Sequence, residues 1–265
     1  MSLQEKAMLV DLSVRQWTGR KFDRAVTASV NGMAGAAKDA GRYNKQLVRR
    51  DALAPITLCA SHVRNFHYRM TLPWSDGGQR LLPAKFFMDY RDRLSEMKEG
   101  FERAVDEFLN WYSLNRQGEA TRLGHLFNLN DYPSVSELRK CYDISAEFFP
   151  VPAAEDFRTS ISANEQDEVR RQIVESIAAR QKKILMDCQA RALKALPSSK
   201  SSISFSYPVV LSKLEKSAEQ LEGLNVMDDP KVTELSNQLR AVSTHIKCGA
   251  YKHAMECADA IRNSL

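Results

Sequence analysis

Residues 87–111 read FMDYRDRLSEMKEGFERAVDEFLNW, and their pattern decides the fold class. The apolar residues of this stretch recur at alternating spacings of three and four; they are Phe87, Tyr90, Leu94, Met97, Phe101, Ala104, Phe108 and Trp111. Such spacing places them on one face of an α-helix, as in a heptad repeat. Because Pro83 suits the start of a helix, the pattern predicts a helix over residues 83–116, roughly 50 Å long.

A second long helix is predicted over residues 163–196. It begins at a capping box, Ser162-x-x-Glu165, and its apolar residues keep helical spacing until Pro197 ends it. The two helices have nearly equal lengths, so we expect them to pack as an antiparallel pair (about 83–116 and 163–196). The predicted fold class is α+β and predominantly α-helical, built on this pair.

Short strands are predicted beside the helix pair. Residues 8–17 alternate between apolar and polar side chains, which is typical of a half-buried strand. Residues 143–152 and 156–162 are interpreted as two further strands, and the three would form a small sheet. Before them, the capping box Ser134-x-x-Glu137 predicts a short helix.

The last part of the chain is predicted to be a separate helical module. In this prediction the main domain covers residues 1–197, with a basic N-terminal region at 15–69, and a polar linker occupies 198–206. The C-terminal helical module, 207–265, would then contain three helices, at 208–222, 230–247 and 250–264.

Between the first strand and the long helix, two more helices and a loop are predicted. Apolar residues recur at three and four over residues 22–47, which indicates a first helix, although its glycines weaken the prediction. Residues 52–70 indicate another helix, and the Pro, Asp and Gly residues of 72–83 indicate an exposed loop.

The composition is that of a folded globular protein. Of 265 residues, 43% are hydrophobic and 27% are charged, which excludes a disordered, collagen-like or purely coiled-coil chain. We find no apolar run long enough for a signal peptide or a membrane span. Five scattered cysteines are typical of reduced thiols. We therefore expect a cytoplasmic protein with no membrane partner.

Positive charge is concentrated near the N-terminus. The chain has a formal net charge of +5, but residues 15–69 alone hold 11 Lys and Arg against three acidic residues, a net charge of +8. A local excess of one sign indicates an oppositely charged partner, chiefly a polyanion such as nucleic acid.

Four of these basic residues, Lys38, Arg42, Lys45 and Arg49, would share one face of the first predicted helix. Cations interleaved with exposed aromatic rings are the usual components of single-strand binding. The stronger stacking candidates are Trp17, Tyr43, Tyr68 and Trp74, whereas Phe22 is expected in the core. The candidate nucleic-acid-binding residues are Arg15, Trp17, Arg20, Lys21, Lys38, Arg42, Tyr43, Lys45 and Arg49. A solvated helix face that binds nothing is the alternative.

The other candidate motifs do not indicate a phosphate-binding loop, a zinc site or a catalytic site. Residues 35–41 resemble a phosphate-binding loop only superficially, because the Lys-Ser/Thr pair is missing. His245, Cys248, His253 and Cys257 are ligand types that suit zinc, but their flanks are predicted to be helical, which favours buried cysteines and surface histidines. We find no catalytic motif. The sequence therefore assigns no catalytic residue, no metal site and no cofactor.

Four stretches resemble a family of proteins encoded by tailed bacteriophages and prophages, a family with no assigned function. The stretches are DLSVRQWTGRKFDR (11–24), AAKDAGRYNKQLV (36–48), TLPWSDGGQRLLPAKFF (71–87) and LGHLFNLNDYPSVSEL (123–138). The resemblance would cover residues 8 to about 195. It implies a phage protein acting in the cytoplasm of a bacterial host, and it favours DNA transactions or interference with a host complex.

Three functional hypotheses stay open at this point. The first is a non-catalytic phage accessory protein that binds nucleic acid, with single strands favoured, through a basic helix face. The second is a protein–protein interaction or assembly factor that docks on a host or phage complex, or on a second copy of itself, through its helical surfaces. The third is an enzyme whose site is assembled from distant positions and leaves no local motif.

Overall fold

The computed structural model describes residues 3–75, 78–152, 163–198 and 200–265. Short 3-10 turns lie at Ala84–Phe86, Gly124–Leu126 and Leu129–Asp131. The helices and strands, in chain order, are α1 (Leu3–Lys6), β1 (Ala7–Arg15), β2 (Arg20–Phe22), α2 (Arg24–Met33), β3 (Asn44–Gln46), α3 (Arg50–Met70), β4 (Leu72–Pro73), β5 (Arg80–Pro83), α4 (Phe87–Asn115), α5 (Glu119–Leu123), α6 (Val135–Arg139), β6 (Asp143–Pro150), α7 (Ala163–Ala195), α8 (Lys200–Leu224), α9 (Pro230–Lys247) and α10 (Tyr251–Ser264). The predicted fold class is confirmed, because the chain is mostly helical with a small antiparallel sheet.

The chain divides into two compact units. The helical unit consists of Met1–Leu12, His67–Tyr90 and Ala146–Leu265, and the basic unit consists of Ser13–Phe66 and Arg91–Ser145. This division differs from the predicted order of main domain, linker and C-terminal module, because the N-terminal strand is grouped with the C-terminal helices. Helix α8 begins at Lys200, so most of the predicted linker is helical.

A four-stranded sheet in the order β4-β5-β1-β6 positions the N-terminal strand. Strands β1 and β5 are antiparallel, with Ala7 opposite Pro83 and Val10 opposite Arg80. Strands β4 and β5 pair as well, so the exposed loop predicted for residues 72–83 is wrong. The reason is that apolar residues flank the turn residues on both sides. Leu72 before them and Leu81 and Leu82 after them are fully buried, and this burial stabilises a hairpin rather than a solvated loop.

Helices α7 to α10 form the core of the helical unit. Helix α7 packs against α8, α9 and β4, and α9 packs against α8 and α10. Leu9 from β1 joins the same buried cluster as Cys188, Leu214 and Leu239. Burial raises the pKa of the Cys188 thiol to about 12, so this cysteine is an apolar core residue and not a nucleophile.

An arginine satisfies the last carbonyl groups of α3 within the helical unit. The Arg191 guanidinium donates hydrogen bonds to the carbonyl oxygens of Tyr68 (2.8 Å), Arg69 (2.8 Å) and Thr71 (2.7 Å). Carbonyl groups in the last turn of a helix have no partner within the helix. Arg191 supplies these partners from α7 and so joins the end of α3 to the helical core.

Aromatic side chains form the core of the basic unit. Trp17 packs against Phe108 and Tyr112 of α4, with ring centroids 6.2 and 6.0 Å apart. The Tyr132 hydroxyl donates to the Leu47 carbonyl (2.7 Å), and the Tyr112 hydroxyl donates to the Pro133 carbonyl (2.7 Å). Both long helices are present, but their expected antiparallel pairing is wrong, because each helix packs against other elements. From Arg91 onward, α4 packs against the aromatic rings of the basic unit. Helix α7 packs against helices α8 and α9 and strand β4.

The remaining predictions of secondary structure are mostly confirmed. The N-terminal strand, the helix over 52–70, the strand that begins at Asp143 and the helices α9 and α10 lie where they were expected. The capping box of α6 is present, with Ser134 and Glu137 in reciprocal hydrogen bonds. The strand predicted at 156–162 and the capping box at Ser162 lie outside the described residues.

Candidate nucleic-acid interface

All of the net charge of the chain belongs to the basic unit. This unit holds 18 Lys and Arg against 13 Asp and Glu, a formal net charge of +5, while the helical unit holds 20 of each. Every one of the nine candidate binding residues named from the sequence lies in the basic unit. The excess of positive charge is therefore a property of this unit.

The first predicted helix is much shorter than expected, and this corrects the basic helix face. Helix α2 ends at Met33, Gly35 follows with a φ of +60°, and the chain continues through turns to β3. The Asn31 amide fixes this loop by donating to the carbonyls of Lys38 (3.1 Å) and Gly41 (3.4 Å). The helix ends near the glycines even though the apolar residues keep helical spacing beyond them. Lys38, Arg42, Lys45 and Arg49 therefore do not share a helix.

Strands β2 and β3 form a two-stranded antiparallel ribbon. Arg20 lies opposite Gln46, Lys21 opposite Lys45, and Phe22 opposite Asn44. Because side chains alternate along a strand, Arg20 and Phe22 share one face of the ribbon and Lys21 has the other. The two faces of the ribbon therefore differ in chemistry.

The face with the two lysines is neutralised by carboxylates. The Lys45 ammonium is buried; it lies 3.2 Å from the Asp23 carboxylate, pairs with Asp131, and donates to the Leu126 carbonyl (3.0 Å). The Lys21 ammonium lies 2.9 Å from the other carboxylate oxygen of Asp131. Lys45 and Lys21 are thus engaged within the protein, and Lys45 holds the 124–131 loop in place.

The pKa shifts of Asp131 and Lys45 keep both groups charged. Burial alone would raise the pKa of Asp131, but hydrogen bonds from Lys45 and Lys21 lower it below its usual range. Burial alone would lower the pKa of Lys45, but hydrogen bonds to Asp131 and Asp23 raise it. The cluster is therefore a structural ion-pair network at neutral pH, and Lys45 is not a free base.

Seven exposed cations of the basic unit form no ion pair with the described residues, and four of them belong to β2, the start of α2 and the loop between α2 and β3. Arg20, Arg24, Lys38 and Arg42 are exposed, and none of them forms an ion pair with any part of the chain that the structure describes. The Arg42 guanidinium lies 4.9 Å above the centre of the Phe22 ring. Arg24 was not among the candidate residues, although it directly follows Asp23, the N-cap of α2.

The exposed rings differ from those expected. Phe22, predicted to be in the core, is 40% exposed, and Tyr43 is 37% exposed. Trp17 packs against α4, and Trp74 is buried in the helical unit. Tyr68, also in the helical unit, is exposed beneath Arg80. Phe22 and Tyr43 are therefore the rings of the basic unit that lie closest in sequence to the free cations.

The two remaining candidates are exposed and already engaged. The Arg15 guanidinium lies 3.1 Å from the Asp143 carboxylate. The Arg49 guanidinium lies 5.6 Å from the centre of the Trp111 ring, and its Nε atom is 3.6 Å from the Asp51 carboxylate. Both keep charge at the surface, but a phosphate group would have to compete with these internal partners.

A groove of about 900 Å³ lies between the β2–β3 ribbon and the first half of α3. Its polar lining comes from Thr18, Arg20, Gln46, Arg50, Asp51, Thr57 and Ser61, and its apolar lining from Leu53, Ala54, Pro55 and Leu58. The Arg50 Nε donates to the Gln46 side-chain oxygen (3.3 Å), which joins α3 to the ribbon. Gln46, Arg50 and Leu58 line this groove but were not among the candidate residues named from the sequence. The consecutive basic residues at 49–50 were the available signal.

Gly19 allows the groove to form. It has a φ of +68°, and a Cβ atom at this position would lie 2.7 Å from the Leu53 side chain. Its carbonyl accepts a hydrogen bond from the Leu47 amide (2.7 Å). Only glycine combines this left-handed conformation with so close an approach, so Gly19 sets the spacing between the ribbon and α3.

Neither a metal centre nor a membrane span is found in the described residues. No three His, Cys, Asp or Glu side chains there are arranged to hold a metal ion. The rings of His245 and His253 lie 6.0 Å apart, but His253 is engaged with Glu256 (3.0 Å) and Cys248 is exposed at the end of α9. No helix in the described ranges has the length and apolar character needed to cross a bilayer.

Comparisons with known proteins add no family to these observations. No protein-family model, no curated protein and no solved structure matches the chain.

Proposed function

We propose that the basic unit binds single-stranded nucleic acid through its exposed loop and ribbon, and that the protein acts without catalysis. The binding surface consists of the cations Arg20, Arg24, Lys38 and Arg42 and the rings Phe22 and Tyr43. The cations neutralise backbone phosphates, and the rings stack on bases. The sequence resemblance to phage proteins supports a role in DNA transactions in a bacterial host.

The observation that carries this proposal is the set of four exposed cations without counter-ions. Elsewhere in the same unit, Arg139 pairs with Asp106 and Arg122 with Glu119. Further exposed cations of the unit form no ion pair in the described residues; they are Arg50, Arg103 and Lys140. Exposed cations without counter-ions leave a positive potential at the surface, and this potential attracts a polyanion. The surface is therefore suited to phosphate groups.

The exposed rings favour single strands over duplexes. In a duplex the faces of the bases are stacked on each other and are not accessible to a side chain, whereas the bases of a single strand are free to stack on Phe22 and Tyr43. Contacts to phosphates alone would favour the duplex, because its charge density is higher than that of a single strand. A preference for single strands thus measures the contribution of the rings.

The test is fluorescence anisotropy with a labelled single strand of about 15 nucleotides, near the upper site size of one binding module. A variant that combines Arg24→Gln, Lys38→Gln and Arg42→Gln removes three free cations. Its affinity is expected to fall about a hundredfold at about 50 mM salt, and the slope of log K against log salt to decrease by about 2.

A matched control removes three exposed lysines from helices of the helical unit. It combines Lys194→Gln, Lys213→Gln and Lys231→Gln, which changes the net charge by the same amount. Its affinity is expected to stay within about threefold of the wild type, since every cation of the basic unit is kept and only the net charge changes. Equal losses in both variants, or no binding by the wild-type protein, would overturn the proposal.

One observation favours the second hypothesis, a protein docking surface. Val30 and Met33 of α2 are 51% and 87% exposed, while the buried side of the helix presents the polar Thr27 and Asn31. Exposed apolar residues on a helix suit contact with another protein. A variant with Val30→Ser and Met33→Ser tests self-association: light scattering should report a lower mass than the wild type if α2 joins two copies. Equal masses would exclude this route.

A further inference from the structure

We propose that the groove between the β2–β3 ribbon and α3 holds one unstacked nucleobase of the bound strand. This inference rests on the proposed function, because a base reaches the groove only when its backbone is held by the neighbouring cations. It adds a second class of contact, to the base itself, at a place distinct from the exposed rings.

The polar edge of the groove is a continuous chain of donors. Arg20 lies opposite Gln46 on the ribbon, and the Gln46 side-chain oxygen accepts from the Arg50 Nε. This bond orients the Gln46 amide so that its NH₂ group is left to donate, and it leaves the terminal nitrogens of Arg50 free. The Arg122 guanidinium fixes the same residue by donating to the Gln46 carbonyl (2.7 Å).

Part of the groove lining on α3 is apolar. Ala54, Pro55 and Leu58 form this part, and Leu58 is 57% exposed although it is a large aliphatic residue. A flipped or unstacked base is commonly held between apolar side chains and hydrogen-bonded along its edge. Apolar side chains and hydrogen-bond donors on the same groove lining provide both contacts, and the arginines provide planar groups on which a base also stacks.

The size and charge of the groove fit a nucleotide. A volume of about 900 Å³ lies within the range of about 300–1,000 Å³ typical of sites for small molecules. Arg20 and Arg50 lie on its lining, and Asp51 is the carboxylate there, 3.6 Å from the Arg49 guanidinium. Two cations against one partly neutralised carboxylate attract a phosphate at the mouth of the groove.

The experiment compares two single strands of equal length and charge: an oligothymidine and the same backbone without bases. The wild-type protein is expected to bind the oligothymidine about tenfold more tightly, which is in the lower part of the range for one stacked base. Ala54→Trp fills the groove with an indole ring. It is expected to reduce this ratio to about threefold while leaving the affinity for the abasic strand unchanged, because Phe22 and Tyr43 still stack.

Two further variants make the outcome decisive. Ala179→Trp adds the same ring at an exposed position of α7 and should leave the tenfold ratio unchanged. Leu58→Ser removes part of the apolar lining at an exposed position and should reduce the ratio as Ala54→Trp does, without filling the groove. A ratio that stays at tenfold in both groove variants would overturn the inference and leave the proposed function intact. Failure of the wild type to bind either strand would overturn both.

Discussion

Lys21 and Lys45 lie directly opposite each other across the β2–β3 ribbon, and both pair with the carboxylate of Asp131. Like charges at opposed positions of a ribbon repel each other unless an anion lies between them. Asp131 therefore does more than anchor a loop, because it makes this register of the ribbon possible. Among the free cations, Arg20 lies on the other face of the ribbon, Arg24 begins α2, and Lys38 and Arg42 lie on the loop between α2 and β3.

Replacement of Asp131 is expected to destabilise the basic unit. Asp131→Asn leaves the two lysines opposed without their shared anion, but Asp23 still pairs with Lys45, so the free energy of unfolding should fall by about 1–2 kcal/mol, less than for a fully buried pair. The control is Asp143→Asn, which breaks an exposed pair with Arg15 and should cost under about 0.5 kcal/mol. Urea titration measures both, and equal losses would contradict the shared-anion role.

The stability of the helical unit should fall below neutral pH because of His67. This residue is buried, its Nδ1 atom lies 2.7 Å from the Tyr90 hydroxyl, and burial followed by the nearby Arg80 charge lowers its pKa to about 4. The folded state then binds fewer protons than the unfolded state between about pH 6.5 and 4. The stabilising contribution is fully present above this window and is lost as the pH falls through it, by about 3 kcal/mol.

His67→Gln provides the comparison for this pH dependence. Glutamine offers the Tyr90 hydroxyl an acceptor but does not titrate. The free energy of unfolding, measured by urea titration from pH 7 to pH 4, should therefore fall less steeply in the variant, with a difference of about 3 kcal/mol over the window. Parallel pH profiles would show that His67 is not protonated on unfolding.

Two aromatic residues of the basic unit should respond in opposite ways. Trp17→Ala removes a ring packed on Phe108 and Tyr112 and should lower the free energy of unfolding by about 2–4 kcal/mol. Tyr43→Ala should change stability little, since the ring is exposed, but should weaken single-strand binding by about twofold. Thermal unfolding and anisotropy of both variants test this. A folded Trp17→Ala protein that loses more affinity than Tyr43→Ala would reverse the assignment.

Gly19→Ala should disturb the groove more than a glycine change in open space. The new Cβ atom requires a left-handed conformation and approaches Leu53, so the cost should be about 2–3 kcal/mol. Gly35 has a similar φ but no atom within 4 Å of the built Cβ position, so Gly35→Ala should cost only about 1 kcal/mol. Thermal unfolding separates the two, and equal shifts in melting temperature would show that the contact with Leu53 is absorbed by small movements.

Much of the fold could be predicted from the sequence, because the apolar residues of a long helix recur at a regular spacing of three and four. Helix α4 and the later helices α9 and α10 follow apolar spacings over many turns, and local capping at Ser134 fixes the start of α6. The packing partners of the long helices could not be predicted, because two helices of equal length need not pack their apolar faces against each other. Helix α7 instead finds its partners in α8 and α9.

The candidate site was predicted in part. Charge counting located the segment, and all nine residues lie in the basic unit, but the helical period over residues 22–47 was misleading. Glycines and the hydrogen bonds of Asn31 end α2 early, which moves Lys45 into a strand where it is buried beside Asp131. Such a long-range ion pair leaves no local signal. The groove has none either, since it joins residues on β2, β3 and α3.

The interleaving of the two units sets an order for their completion during synthesis. The basic unit has all of its residues once Ser145 has been made, whereas the helical unit waits for α10. At about 5–20 residues per second, ribosomes need roughly 6–24 s for the intervening stretch. Throughout that interval Leu9 lacks the core of α7 to α10 that buries it, and strand β1 is a nascent apolar segment that a chaperone would recognise.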